Sequence, residues 1–311
     1  MKTYAGYYKK EIREKSSSGA IFCAIALKIL GKGGIVYGVC MSEDNYSANF
    51  ERISDEKSLE KILGSKYMQA YVGNTFINVK RDLDNGLNVL FSGTICQING
   101  LKGYLNKEYE NLYCIDVICH GTPSNKLWMK YLVDRERQIG KCNELNFRSK
   151  EQGWYDSGIK ENKIFTPQKQ NSYMNLFIKD LCLRPSCYKC LCKTNKLSDF
   201  TLGDLWGVHE VAPELNDDRG ISVIFIRTKK AEKLFEQLKD ELIIKVITYE
   251  QAVIDNPCEY KSSKRPKLRD SFYKDLVVMS YQELVEKYLK IRRFDRLINK
   301  VSSIIKIRKK L

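Results

Sequence analysis

The sequence predicts an α/β fold: a mixed, mostly parallel sheet with flanking helices, followed by a basic helical tail. Three observations carry this. Short apolar runs of strand length alternate with stretches whose apolar residues recur at helical spacing. Polar turns fall where a strand ends or a helix begins, which is where parallel sheets gather their ligands. The chain also has 311 residues with 43% hydrophobic and 29% charged side chains, enough for one large or two modest globular units.

The elements follow in order. Residues 18–30 read as a helix with Ile21, Phe22, Ile25, Ala26 and Ile29 on one face, opened by Ser16-Ser17-Ser18-Gly19. Gly33-Gly34 ends it, and residues 35–40 form a strand. Residues 88–91 are a buried strand running into Ser92-Gly93-Thr94, and residues 96–105 are a helix with Ile98, Leu101 and Leu105 inward. Residues 112–118 are a further strand, which Cys119-His120-Gly121-Thr122-Pro123-Ser124 turns into a helix over 126–137. An extended region over 145–165 contains a hairpin near Asn162-Lys163, and residues 173–183 form an apolar helix. Residues 221–227, 230–241 and 242–247 read as a β-α-β unit. From Tyr281 the chain is helical and basic, with Phe294, Leu297, Ile298, Val301, Ile304 and Ile305 on one face. The chain divides into segments 1–80 and 81–250 and a basic tail over 251–311.

Composition narrows the function classes. No run of about 18 uncharged apolar residues is present, and Met1–Lys10 lacks the apolar centre of a signal peptide, so the expected location is the cytoplasm. Eleven cysteines without an export signal argue against a disulfide framework. The net charge is +15, and residues 287–311 hold ten Lys/Arg against one Asp. Such a balance attracts anionic partners. No nucleic-acid-binding motif accompanies it. The tail is ordinarily a solvated face packed on the body; its sharper reading is peripheral contact with a membrane surface.

Chemistry concentrates after Arg184-Pro185. Cys187, Cys190 and Cys192 lie within six positions, and a short turn brings both sulfurs of a Cys-x2-Cys pair to one point. A thioredoxin-like pair would sit at a strand-to-helix junction instead. A structural zinc on these three thiols lacks a second Cys-x2-Cys, and the ferredoxin spacing is absent. Further ligands would come from distant turns, where Cys96 and Cys119 are the candidates and Cys192 competes with them. His120, in Cys-His-Gly at a strand end, has the setting of a site residue. The Ser16–Gly19 run and Ser92-Gly93-Thr94 can offer hydroxyls and backbone N–H groups to a phosphate, or serve as plain helix caps. Neither a Rossmann nor a Walker glycine pattern occurs.

With these motifs in this order, the sequence resembles the coenzyme F-420 (deazaflavin) hydrogenase/dehydrogenase beta-subunit family over about residues 4–227. The resemblance rests on Ser16-Ser-Ser-Gly19, Gly64-Ser-Lys66-Tyr67, Phe91-Ser-Gly93-Thr94-Ile-Cys96-Gln97, Asp116-Val-Ile-Cys119-His120-Gly121, Phe147-Arg148-Ser-Lys150, Arg184-Pro-Ser-Cys187 with Cys190, and Ser198-Asp199 with Gly203-Asp204. It is similar to a branch found with polysaccharide-biosynthesis proteins. The resemblance implies FAD and a [4Fe-4S] cluster, with Cys96, Cys119, Cys187 and Cys190 as cluster ligands. It places Ser17, Ser18, Gly19, Lys66, Gly93, Thr94, His120 and Asp204 around the flavin, with His120 or Lys150 as the proton-handling group. The expected activity passes electrons between a ferredoxin-like donor and an organic acceptor; self-association is compatible with it. Two departures stand out. Ile95 occupies a position where the family often has proline, and the chain starts at Tyr4-Ala-Gly-Tyr without the ferredoxin-like segment of many relatives. The alternative is a redox-inactive relative acting in polysaccharide assembly as a transferase or scaffold.

Overall fold

The structure, a computed structural model, describes residues 1–289. Its backbone is a nine-stranded sheet in the order β12-β1-β11-β10-β6-β5-β2-β3-β4, with a separate three-stranded sheet β7-β8-β9. The strands are β1 (Lys2–Tyr8), β2 (Ile35–Met41), β3 (Ala48–Ile53), β4 (Ala70–Tyr71), β5 (Val89–Thr94), β6 (Leu112–Val117), β7 (Leu145–Ser149), β8 (Gly158–Glu161), β9 (Ile164–Pro167), β10 (Phe200–Asp204), β11 (Ser222–Ile226) and β12 (Leu242–Val246). The centre is parallel, running β10, β6, β5 and β2, while β1, β11 and β12 on one side pair antiparallel to their neighbours, and on the other β3 pairs antiparallel with β2 and parallel with β4. The mixed sheet with flanking helices expected from the sequence is present.

The parallel strands read as unbroken apolar runs because helices cover both faces. Val89, Leu90, Phe91, Leu112, Cys114 and Ile115 are fully buried. Between β5 and β6 runs the helix Ile95–Leu105, which turns Ile95, Ile98, Leu101 and Leu105 inward at helical spacing. The helix Asn125–Ile139 buries Leu127, Trp128, Tyr131 and Leu132. Trp128 then packs on Phe147 of the small sheet and on Tyr173, with centroids 4.8 and 5.0 Å apart, and its indole N–H donates to the Asn45 carbonyl at 2.8 Å. The small sheet and the helices around it thus form a second apolar layer beside the main one.

Four expectations change in detail. The β-α-β unit over 221–247 exists, but β1 lies between its two strands, so β11 and β12 do not touch as partners. Within that unit the helix is Lys229–Glu236, with a separate single turn at Lys239–Glu241. The helix after Asn171 stops at Ile178, since Asp180 takes the left-handed conformation at φ 60° and donates its N–H to the Phe177 carbonyl. Finally, the serine run does not cap the first helix. That helix is Ile21–Leu30 and starts behind Ala20, which is left-handed at φ 61°. Beyond the helix Tyr281–Tyr288, capped by Ser280 and Glu283, the predicted amphipathic tail with Phe294 to Ile305 lies outside the described residues. Among the described residues, no helix is long and apolar enough to cross a membrane.

Candidate functional site

The carboxyl ends of β5, β6 and β10 open on one edge of the sheet, and the chain's polar turns collect there. β5 ends in Gly93-Thr94, and the Thr94 N–H donates to the Gln97 side chain at 2.8 Å, fixing the start of the next helix with Cys96 on its first turn. β6 runs out into Cys119-His120-Gly121. Two backbone contacts join this turn to the segment before the cysteine loop: Ser124 N–H donates to the Cys182 carbonyl at 2.8 Å, and Arg184 N–H to Thr122 at 2.9 Å. The loop is fastened on its other side by Asn99, whose side chain donates to the Asn195 carbonyl at 2.7 Å.

Cys96, Cys119, Cys187 and Cys190 therefore approach from three chain segments, and all eleven cysteines are free thiols. Burial pushes the Cys119 thiol up to about 12; Cys96 and Cys187 add to that rise against the ammonium of Lys193. Burial likewise raises Cys187, whose sulfur accepts the Thr122 N–H at 3.4 Å. Cys192 shares the same neighbourhood: burial and then Cys190 and Cys96 raise it. No group of three or more His, Cys, Asp or Glu stands in a metal-holding arrangement among the described residues.

His120 faces Asp180, with Nε2 and Oδ1 2.7 Å apart in an ion-pair contact that is off the line of a straight hydrogen bond. Its Nδ1 lies 3.7 Å from the Cys258 sulfur. Burial works against the imidazolium, but Asp180 and Cys258 outweigh it and leave its pKa raised to about 9. Nothing in the sequence marked Cys258 or Asp180, which converge on His120 from distant positions.

Next along the edge comes the Ser16–Gly19 loop. Ser17 Oγ accepts from both the backbone N–H and the hydroxyl of Ser65, at 2.7 and 2.8 Å, drawing Lys66 toward the loop. Gly19 N–H donates to Ser222 Oγ at 3.0 Å, and a Cβ on Gly19 would stand 2.5 Å from the Gly6 carbonyl oxygen. Ser18 Oγ is buried without a partner. Lys66 Nζ donates to the Leu63 carbonyl at 2.6 Å with no carboxylate beside it, and desolvation lowers its pKa to about 8. Asp204, at the end of β10, pairs with the Arg148 guanidinium and accepts the Trp154 indole N–H at 3.3 Å. Arg148 lies 4.8 Å over the Trp206 ring, which stacks on Trp154, and its Nη2 is buried with no partner.

Lys150 is placed differently from the other candidates. Its ammonium donates to the carbonyls of Arg13 and Arg219, both at 2.7 Å, so it ties the N-terminal loop to the segment before β11. That segment is a centre the sequence did not reveal. Arg13 grips Gly220, Trp154 and Tyr155 hold Asp218, and Gly220 passes so close to Ser18 that an added Cβ would sit 2.9 Å from Ser18 Cα. Gly220 is also left-handed at φ 98°. Gly220→Ala is expected to destabilise the fold by about 1–3 kcal/mol, read as a lowered midpoint in thermal unfolding. An unchanged midpoint would refute that close packing. A separate cavity of about 580 Å³ is bordered by Ile12, Cys23 and Leu59 and by none of Cys96, Cys119, Cys187 and Cys190.

The thiols and the buried donors without partners among the described residues lie toward the carboxyl ends of the parallel strands, where open α/β sheets ordinarily take their ligands. The family described as the C terminus of the coenzyme F420 hydrogenase/dehydrogenase beta subunit matches residues 86–252, more than half of the sequence. The chain belongs to this hydrogenase-related redox family. Its fold is similar to a chain in the F420-reducing [NiFe] hydrogenase complex from Methanosarcina barkeri, with a TM-score of 0.55, 17% identity, and coverage of 92% of this chain and 91% of that one. No curated protein matches the chain.

Proposed function

We propose that the chain is a flavin- and iron–sulfur-dependent oxidoreductase, using FAD and a [4Fe-4S] cluster to pass electrons between a ferredoxin-like donor and an organic acceptor. One observation supports this reading: beside the sheet edge that also holds the serine loop, burial and then Cys96 and Cys187 raise the Cys119 thiol, and burial and then Cys96 and Cys190 raise Cys187, so thiols from three segments feel one another's charge. The donor set suits a thiophilic centre, and Cys187 already accepts a backbone N–H, a bond that tunes cluster-bound sulfur. The loop bearing Cys187, Cys190 and Cys192 is built of short 3-10 turns, Pro185–Lys189 and Leu191–Lys193, which bring its three thiols close together along the chain.

Cys96, Cys119, Cys187 and Cys190 would hold the cluster. Ser17, Ser18, Gly19, Lys66, Gly93, Thr94, His120 and Asp204 would surround the flavin. Bound there, the two groups supply one-electron steps and their coupling to two-electron transfer. The chain supplies placement: the Ser18 hydroxyl and Arg148 Nη2 are donors already stripped of water, so an acceptor atom reaching them meets no competing solvent. His120 holds a proton between Asp180 and Cys258. Lys150 orders the Arg13 and Arg219 loops rather than reaching out.

A visible spectrum of anaerobically purified protein, with flavin and iron assays, tests the reading. Flavin bands over a broad iron–sulfur shoulder are expected; colourless protein lacking both overturns it, and zinc without colour would indicate a structural site instead. Lys66 gives a pH signature. Its ammonium favours an anionic phosphate but is lost as pH rises through about 8, so FAD binding should weaken across that range. Lys66→Met should weaken binding at neutral pH by roughly tenfold or more, the scale of a charge-assisted hydrogen bond, and flatten the profile. A variant with the wild-type pH profile would remove Lys66 from the site.

A further inference from the structure

We infer that the outer surface of the cysteine loop is the docking face for an acidic, small electron-carrying protein, an inference that rests on the redox reading above. Two segments build this face. Residues 184–197 and 260–269 contain nine lysines and arginines and no carboxylate. They pack against each other: Cys190 N–H donates to Ser262 Oγ at 2.9 Å, Lys193 bonds the Cys258 carbonyl, and the Arg269 guanidinium lies 5.3 Å from the Tyr188 ring. Arg184, Lys189, Lys261, Lys264 and Lys267 remain exposed on it. The carboxylates bordering the second segment are already taken, Glu259 by Lys196 and Arg227 and Asp270 by Arg265.

On the first of these segments, between Lys189 and Lys193, stands Leu191, 83% exposed between Cys190 and Cys192. A single exposed leucine is ordinary on a protein surface; what sets this one apart is the run of cations on the two segments around it, and covering it would remove its apolar area from water. An exposed apolar residue among cations of one sign suits a transient interface, where charge steers the encounter and a small dry contact fixes it. The complementary partner is acidic. The adjoining thiols give the contact a purpose, since a carrier seated on Leu191 would stand directly beside Cys190 and Cys192.

The test measures binding of an acidic bacterial two-cluster ferredoxin to the full-length, anaerobically purified chain across a series of ionic strengths. Lys189→Glu/Lys264→Glu is expected to weaken binding by roughly tenfold or more at low salt and to flatten its salt dependence. Leu191→Ser should weaken it severalfold while leaving the salt slope intact. Lys57→Glu/Lys163→Glu makes the same change in net charge at exposed positions outside both segments and should bind like wild type. Equal losses in both double variants would reduce the effect to overall charge and overturn the docking face. Preferential capture of anionic lipid vesicles through Lys189 and Lys264, with no ferredoxin binding, would overturn it too. Iron and flavin content of the same preparations keeps the two readings apart. Loaded protein that ignores ferredoxin refutes the face alone; iron-free protein that still binds through Lys189 and Lys264 keeps the face and refutes the redox reading.

Discussion

Replacing Cys119 by serine is expected to lower the iron bound by anaerobically purified protein by roughly tenfold or more, because a cluster needs all four thiolates to stay anchored. Cys119 is the member of the set that the fold holds most firmly. It follows directly on β6, and its carbonyl accepts the Lys193 ammonium at 2.7 Å, which fixes the turn to the cysteine loop. The same burial that raises its thiol to about 12 keeps it protonated without a metal, so ligation must displace a proton that solution at neutral pH would not remove. Serine keeps the size and the hydrogen-bonding capacity, so with iron removed from both, the variant and wild type should unfold at the same midpoint. Cys192→Ser is the contrast. Cys192 packs beside the apolar cluster of β5 and its helix, and its replacement should leave iron content unchanged. The reverse pattern, with iron lost from Cys192→Ser and kept in Cys119→Ser, would exchange their roles.

That contrast marks how far the sequence was legible. The helix Ile95–Leu105 could be read because Ile98, Leu101 and Leu105 repeat its period, and β5 and β6 because buried parallel strands are continuously apolar. β1 escaped reading. Lys-Thr-Tyr-Ala-Gly-Tyr-Tyr has no clean alternation, since the strand is sandwiched between β11 and β12 and most of its side chains are buried. Its pairing joins residues more than two hundred positions apart, which no local pattern encodes. The serine run misled for a related reason: four helix-start residues in a row look like a cap, whereas Gly19 is claimed by Ser222 and Tyr8 across the sheet edge. Arg148 stood inside a quoted motif without a role, because its partner Asp204 lies on another strand. Cys258 and Asp180 show the same limit at His120.

Arg13→Met is expected to cost about 1–3 kcal/mol and to lower the midpoint of thermal unfolding by several degrees, the scale of leaving a buried carbonyl without its donors and a part-exposed carboxylate without its partner in a chain of this size. The guanidinium is 2% exposed, lies 3.7 Å over the Tyr7 ring, and donates twice to Asp217, at 2.7 and 2.6 Å. It also donates to the Gly220 carbonyl, from Nε at 3.0 Å and from Nη2 at 2.7 Å. Methionine fills much of the same volume but leaves that carbonyl without these donors and Asp217 without its fork. The loss reaches the site, because Gly220 supports the backbone of Ser18 and the Arg13 carbonyl receives Lys150. Flavin retention should therefore fall along with stability. Arg13→Lys restores the charge without the planar fork and should recover only part of either. Acid supplies an independent check. Burial opposes the Asp217 carboxylate, yet Arg13 and the Arg219 N–H hold its pKa below the ordinary value. The stability this contributes is present above the unfolded carboxylate range and lost as pH falls through the lowered pKa. The gap between wild type and Arg13→Met should accordingly narrow in acid. A gap that stays constant through that range, or a variant as stable as wild type at neutral pH, would mean that Arg13 does not hold the loop.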